Sequence, residues 1–348
     1  MSYFRDNIDK MPPYVPGEQP PPGTKVIKLN TNENPYPPSP KALAVLGGFD
    51  AELLRRYSDP NSRAFCAAAG KALDVPADWI LAGNGSDDTL AMVVLACAGP
   101  RRKVVYPMPT YVLYRTLAQM QDAPIVEVPY DDDYTLPADR LIAENGAVTF
   151  IARPNSPSGT CPPLADVERL ARGVSGLVGV DEAYVDFADD NALGLARRCD
   201  NVVVLRTLSK AFALAGARCG AMIAQPEIVQ LLQRIIQPYA ITQLTIEAVF
   251  AALRPENAGV ARERVATLIR ERERLAAGLA RSALVSRVWP SAANFMLLEF
   301  ADAGAALERT HAAGLLVRDF RRTPGLERAL RISVGTPEQN DRLLASLS

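Results

Sequence analysis

Beyond Lys103 the chain holds one lysine, Lys210, against 25 arginines. An arginine neither loses its proton near neutral pH nor forms an imine, whereas a lysine does both. Lys210 is therefore the candidate for amine chemistry. It closes the run Arg206-Thr207-Leu208-Ser209-Lys210, which follows the apolar stretch 202–205. Two more apolar stretches end in polar residues in the same way. Residues 148–151 lead into Arg153-Pro154-Asn155-Ser156-Pro157-Ser158-Gly159, and 177–180 into Asp181-Glu182-Ala183-Tyr184. Taken singly, each has a plain explanation: Asp181 as a turn acid, the Asn155 run as an ordinary turn, Lys210 as a solvated charge. Their repetition at successive strand ends is what points to a site. In open parallel α/β sheets, ligands bind beyond the carboxyl ends of the strands.

The turn Gly83-Asn84-Gly85-Ser86-Asp87-Asp88 precedes the apolar stretch 90–97. A Gly-rich turn followed by Ser and Asp opens a helix whose first N–H groups can hold a phosphate, although a plain capped helix has the same signature. An imine-forming lysine, an acid for a pyridinium nitrogen, a phosphate-binding helix end and amide or hydroxyl donors together suit pyridoxal 5′-phosphate. In such a site Lys210 condenses with the aldehyde and Asp181 keeps the ring nitrogen protonated. Asn155 and Tyr184 donate to the ring oxygen. Arg218, eight residues after the lysine, forks onto the phosphate.

The elements that position these residues follow from the pattern. Residues 104–106, 125–128, 148–151, 177–180 and 202–205 are short, apolar and mostly unalternating, as strands buried on both faces should be. Helical stretches lie between several of them, for example 110–121 and 164–172. This alternation predicts an α/β domain on a mostly parallel central sheet flanked by helices. After about residue 240 the texture changes. A long Arg/Glu-laced helix over 256–280 precedes strands at 284–289 and 295–300, a helix at 303–313, and strands at 315–318 and 330–334, which predicts a smaller α+β C-terminal domain. Residues 1–38, rich in Pro and Asn, read as an arm or loop rather than a helix. The expected division is an arm over 1–38, a large domain over 39–245 and a small domain over 246–348.

Composition narrows the function classes. With 348 residues, 38 Lys+Arg against 39 Asp+Glu and a net charge of −1, the chain is neither a strongly basic nucleic-acid binder nor an acidic tail protein. It contains no apolar run of about 18 residues, so no membrane span is expected. The charged, proline-rich first 25 residues do not read as a signal peptide. The five scattered cysteines, never spaced C-x-x-C, read as reduced packing residues of a cytoplasmic protein. The one histidine, His311, leaves little room for a zinc site, so no metal is expected.

These residues sit in longer blocks. They include Leu29-Asn-Thr-Asn-Glu-Asn-Pro-Tyr36, Arg56-Tyr-Ser-Asp-Pro60, Pro109-Thr-Tyr111, Pro154-Asn-Ser-Pro-Ser-Gly159, Val180-Asp-Glu-Ala-Tyr184, Thr207-Leu-Ser-Lys-Ala-Phe-Ala-Leu-Ala-Gly-Ala-Arg218 and Leu330-Arg-Ile-Ser-Val-Gly-Thr336. With them the chain resembles, over essentially its whole length, the histidinol-phosphate aminotransferases, fold-type-I pyridoxal-phosphate enzymes of the class I/II aminotransferase superfamily. The resemblance implies that Lys210 forms the imine and then shuttles the proton between the substrate α-carbon and cofactor C4′. It implies that Asp181 pairs with the pyridine nitrogen, that Asn155 and Tyr184 contact the ring oxygen, and that Tyr111 stacks on the ring. Ser86, Asp87, Ser209 and Arg218 would surround the phosphate. Tyr57 would reach it from the neighbouring subunit, making a homodimer part of the active site. Arg331 would hold the α-carboxylate of glutamate, Arg318 would assist at the phosphate or distal carboxylate, and Tyr14 of the arm would close over substrate.

The implied reaction is a ping-pong exchange between L-glutamate/2-oxoglutarate and histidinol phosphate/imidazole-acetol phosphate, a step of histidine biosynthesis. Two features depart from the family pattern: Ser58 where proline is usual, and Ala217 where a larger apolar residue is usual. The segment between Arg318 and Gly325 is variable in the family and lines the acceptor pocket, so the acceptor stays open. Arg321 and Arg322 in that segment add positive charge or are surface bystanders. The alternatives are an aromatic-amino-acid (phenylalanine/tyrosine) aminotransferase on the same scaffold, since imidazole and phenyl rings are similar in size, and a phospho-amino-acid decarboxylase. A non-catalytic pyridoxal-phosphate regulator would need a DNA-binding domain, for which the 348 residues leave no space.

Overall fold

The computed structural model describes residues 2–13, 17–21, 23–48 and 50–348, with the backbone alone at Leu46. The described residues form twelve strands: β1 Ile27–Leu29, β2 Ile80–Gly83, β3 Val104–Met108, β4 Ile125–Pro129, β5 Val148–Ala152, β6 Leu177–Asp181, β7 Val202–Thr207, β8 Gly220–Ile223, β9 Val285–Val288, β10 Phe295–Phe300, β11 Leu315–Asp319 and β12 Ala329–Ser333. They form a seven-stranded sheet in the order β2-β8-β7-β6-β5-β3-β4 and a five-stranded sheet in the order β1-β11-β12-β10-β9.

The five apolar stretches of the sequence are β3 to β7, joined by parallel ladders. Every residue of β5 is buried, because helices cover both faces and leave no wet side on which a polar residue would be favoured. One apolar cluster lies on each face. Leu141, Leu170, Val180, Val204 and Ile246 belong to one, and Leu90, Tyr114, Phe150, Val203 and Met222 to the other. The strand order reverses between β3 and β5, and this switch point opens a crevice beyond their carboxyl ends.

Four elements differ from the sequence expectation. β8 pairs antiparallel with β7 and β2, so the lysine block doubles back into the sheet two residues after Arg218. Within the expected arm, Asp6–Asp9 forms one helical turn and β1 pairs parallel with β11. β1 is a short edge strand with only Leu29 buried, so its sequence carries little strand signal. The helix expected from residue 110 begins at Leu113, which leaves Thr110 and Tyr111 in the loop after β3.

The smaller sheet closes its own core, with Leu29, Met296, Leu298, Phe300, Leu330 and Ile332 packed against Leu275, Leu279 and Leu343 of the covering helices. The long helix Pro255–Leu279 bridges the two parts. Val265 and Leu268 pack with Phe187 and Phe212, while Leu275 and Leu279 lie on the small sheet. Arg272 reinforces the join, donating to the carbonyls of Phe187 (3.4 Å) and Ala293 (3.0 Å).

Candidate active site

A cavity of about 930 Å³ lies beyond the strand ends of the large sheet, bounded on its far side by Phe320 and Arg331 of the small-sheet part. Lys210 lines it, and among the described residues no other lysine does. The Lys210 Nζ donates to the Thr31 carbonyl at 3.3 Å and stands 5.5 Å from the centre of the Tyr184 ring. The loop from β7 thus presents its amine between the arm and the loop that follows β6.

Asp181 closes β6 and is buried at 5% exposure. Its Oδ2 accepts from the Tyr114 hydroxyl at 2.8 Å and its Oδ1 from the Ala183 N–H at 3.1 Å. Burial pushes its carboxyl up from 3.8 to about 6, against the pull of those two hydrogen bonds and of Lys210. The Asp87 carboxylate adds a further upward push. A buried acid held by two donors, with its outer edge on a cavity, is a ready partner for a cationic ring nitrogen.

At the other end of the cavity the helix Ser86–Cys97 begins with no side-chain cap on its first N–H groups. Two glycines let the surroundings close on that end. A Cβ on Gly220 would collide with the Ser86 N–H, and one on Gly85 would stand 2.6 Å from Arg218 Nη2. Gly85 and Arg218 both take left-handed conformations, with φ of 86° and 53°, which aim the guanidinium at the helix end. Arg218 pairs with Asp87 at 3.3 Å. Ser209 accepts from the Thr207 hydroxyl at 2.9 Å, which leaves its own hydrogen for the cavity. Tyr111 donates to Asp87 at 3.2 Å, and burial beside two carboxylates drives its phenol above the usual range.

Tyr184 accepts from Asn32 Nδ2 at 2.9 Å, so its hydroxyl hydrogen is left to donate towards the cavity that it lines. Asn32 is in turn fixed to the small sheet. Its N–H donates to Ser333 (2.9 Å), and its carbonyl accepts from Asn294 (3.1 Å). Its φ of 54° is one that Asn tolerates. Arg331, buried on β12, donates to Ser156 (2.9 Å) and to the Asn30 carbonyl (3.0 Å), with Phe295 and Phe320 against its guanidinium at 5.1 and 5.4 Å. Arg318 lines the same wall, 5.9 Å from the Phe320 ring. Of the two neighbouring arginines, Arg322 lines the cavity, whereas Arg321 is paired with Asp319 at 2.9 Å.

The structure therefore brings Lys210, Asp181, Tyr184, Tyr111, Ser86, Asp87, Ser209, Arg218, Arg318 and Arg331 to one cavity. Two expected residues stand apart. Asn155 is fully buried behind the wall. Its Oδ1 accepts from Thr110 (2.7 Å), and its two amide hydrogens go to the Pro109 carbonyl (3.2 Å) and Ser158 (2.9 Å). It reaches a ligand only by giving up one of those bonds. Tyr57 is 83% exposed, stacked on Tyr239 at 4.4 Å and outside this chain's cavity. Tyr14 lies outside the described residues. His311 is also remote, 3.5 Å from Glu18.

Sequence reasoning passed over Tyr114 and Asn32. Tyr114 shares a buried stripe with Leu117 and Ala118, which reads as core, and only its spacing of three from Tyr111 hints at a common direction. Asn32 bonds a partner 152 residues away, for which local sequence has no signal.

The model of the aminotransferase class I and II family matches residues 24–347. Histidinol-phosphate aminotransferase 1 of Trichormus variabilis is 48% identical over 348 residues, covering 99% of this chain and 98% of that protein. The histidinol-phosphate aminotransferase of Syntrophotalea carbinolica is 39% identical over 350 residues, covering 100% and 99%. The crystal structure of the histidinol-phosphate aminotransferase of Sinorhizobium meliloti in complex with pyridoxal-5′-phosphate superposes with a TM-score of 0.88, at 26% identity, over 100% of this chain and 97% of that one.

Proposed function

Because the chain belongs to the class I and II aminotransferases, we propose that it transfers an amino group between L-glutamate/2-oxoglutarate and histidinol phosphate/imidazole-acetol phosphate, with pyridoxal phosphate as its cofactor. The observation that carries this is one cavity lined by Lys210, by a buried acid and by an uncapped helix end with Arg218. That donor set fits the cofactor's aldehyde, ring nitrogen and phosphate in turn. The two glycines that hold strand and guanidinium against the helix end favour an anion there.

When bound, the cofactor supplies an electron sink for the pair left behind when the substrate α-proton departs. The chain's residues do the rest. Lys210 Nζ holds and moves that proton. Asp181 stays charged to hold the ring nitrogen in its protonated form. Tyr184, fixed by Asn32, donates to the ring oxygen, and Tyr111 covers a ring face. Asn155 completes the oxygen's contacts after turning from Pro109 or Ser158. Ser86, Asp87, Ser209 and Arg218 orient the phosphate. Arg331, braced by Ser156 and Asn30, receives a carboxylate as a fork. Arg318 serves the second anionic group, with Tyr14 of the arm closing over substrate. The proposed division is an arm (1–38), a large domain (39–245) and a small domain (246–348); the two sheets support two main parts, with β1 of the arm joining the smaller sheet and Ile246 packing in the larger core.

A half-reaction tests the acceptor. Protein loaded with pyridoxal phosphate is treated with glutamate, freed of excess, and given imidazole-acetol phosphate or phenylpyruvate separately while its visible absorbance is followed. Rapid recovery with the phosphate compound and slow recovery with phenylpyruvate is expected. Equal or faster recovery with phenylpyruvate would assign the chain to the aromatic aminotransferases.

The exposed Tyr57–Tyr239 stack supports a shared site, with Tyr57 of each copy meeting the phosphate of the other in a homodimer. Tyr57→Phe should then weaken pyridoxal-phosphate affinity about tenfold or more, the scale of one hydrogen bond to a charged group. Unchanged affinity in a titration would remove Tyr57 from the site.

A further inference from the structure

We propose that Tyr114 is the positioning residue of this site: its hydroxyl holds the Asp181 carboxylate charged and aimed at the cavity. The contact itself needs no cofactor, while its consequence for turnover rests on the function proposed above. Tyr114 is fully buried, with 0% exposure, and does not line the cavity. It therefore acts on a ligand only through cavity-lining neighbours, and the one its hydroxyl holds is Asp181. The two carboxylate oxygens take one donor each, Oδ2 from Tyr114 and Oδ1 from the Ala183 N–H. Two donors on separate oxygens fix the plane of the carboxylate, so the acid cannot rotate away from the cavity.

The ring is fixed as firmly as the hydroxyl. Tyr114 stacks on Phe150 with centroids 4.8 Å apart and planes at 14°, and it meets Tyr111 edge-on at 5.7 Å. Such pairs hold an aromatic ring in one orientation. The charged and titratable groups facing Asp181 come from three directions. Tyr111 and Tyr114 come from the segment after β3, Asp87 from the helix Ser86–Cys97, and Lys210 from the loop after β7. Burial and Asp87 favour the neutral acid; Tyr114, Ala183 and Lys210 favour the charged one. Burial drives the Tyr114 phenol itself far above its usual range. It remains a donor throughout the working pH range, and a fixed donor to a charged acceptor is the stronger kind of hydrogen bond.

The test is Tyr114→Phe, which deletes one oxygen and keeps the ring. Thermal unfolding of the cofactor-free protein is compared between pH 4 and 8, alone and with Asp181→Asn. Losing the bond makes the ionised acid costlier, so the deficit of Tyr114→Phe should grow with pH, by about 2 °C or more between the two limits. With Asp181→Asn the deficit should no longer depend on pH. In the loaded protein the pH midpoint of the visible band should shift by about one unit, and kcat should fall about tenfold with KM for glutamate unchanged. Parallel pH curves for wild type and Tyr114→Phe, or the same pH-dependent gap with Asp181→Asn, would overturn the proposal. A Tyr114→Phe chain that folds only when Asp181→Asn is also present supports it; one that folds in neither background overturns it. A wild-type protein that never develops a visible band with pyridoxal phosphate fails the proposed function and leaves the cofactor-free comparison decisive for Tyr114.

Discussion

Lys210→Ala lowers turnover at least about 10³-fold and removes the visible absorbance of the pyridoxal-phosphate-loaded protein. Two losses combine: the nucleophile that joins the cofactor aldehyde, and the base that moves the substrate proton, each a large factor alone. Among the described residues no other lysine lines the cavity, so none stands ready to substitute. The fold should hardly notice, because the amine makes one 3.3 Å hydrogen bond to the Thr31 carbonyl and stands 5.5 Å from the Tyr184 ring centre, together worth about 1 kcal/mol. Lys210→Arg separates charge from amine chemistry. It keeps a cation in place but forms no imine, and it should be as inactive as the alanine variant. Absorbance and stopped-flow turnover on both variants decide the matter. A visible band with wild-type turnover in either would place the amine chemistry on another group.

How far the sequence foretold this arrangement depends on the range of each interaction. The strands β3 and β5 to β7 were legible because strands buried on both faces are apolar along their length, while β4, half-buried at the sheet edge, keeps three apolar residues around Glu127. Lys210 and Asp181 were legible because they stand at the ends of those strands. By contrast, β8 is four residues long and opens with Gly220, and β1 is a three-residue edge strand with only Leu29 buried, so neither carries the pattern of a strand. Asn155 illustrates a different limit. Its place after β5 suggested a donor at the cavity wall, but hydrogen-bond partners are set by packing, and here Thr110, Pro109 and Ser158 take up the whole amide. Asn32 lies beyond sequence reasoning because its role needs Ser333 and Tyr184 together, 301 and 152 residues away. That one residue ties the small sheet to the ring end of the site.

Asp181→Asn is expected to make the cofactor-free protein more stable at pH 8 and the enzyme about 10²-fold or more slower. The stability sign follows from burial. An aspartate that ionises at 3.8 when unfolded ionises at about 6 in its buried place. Its neutral form therefore suits the fold at pH 4. As pH rises through the window from 3.8 to about 6 the carboxylate must charge inside the protein, and the fold loses up to about 3 kcal/mol, complete above that window. Asparagine never charges. The Tyr114 hydroxyl can turn to accept from the new amide, and the amide oxygen can still accept from the Ala183 N–H, so few bonds are lost in exchange. Thermal unfolding of wild type and Asp181→Asn without cofactor should coincide near pH 4 and diverge towards pH 8, the variant melting higher. A variant that melts lower at pH 8 would mean that neighbouring charges, Lys210 first among them, outweigh desolvation. Turnover moves the opposite way because a neutral amide cannot hold a ring nitrogen in its protonated form, and charge developing in the transition state loses a fixed partner in a site of low dielectric. A charged acid that strains the empty protein and is relieved by a cationic ring is how stability is exchanged for function at this one position.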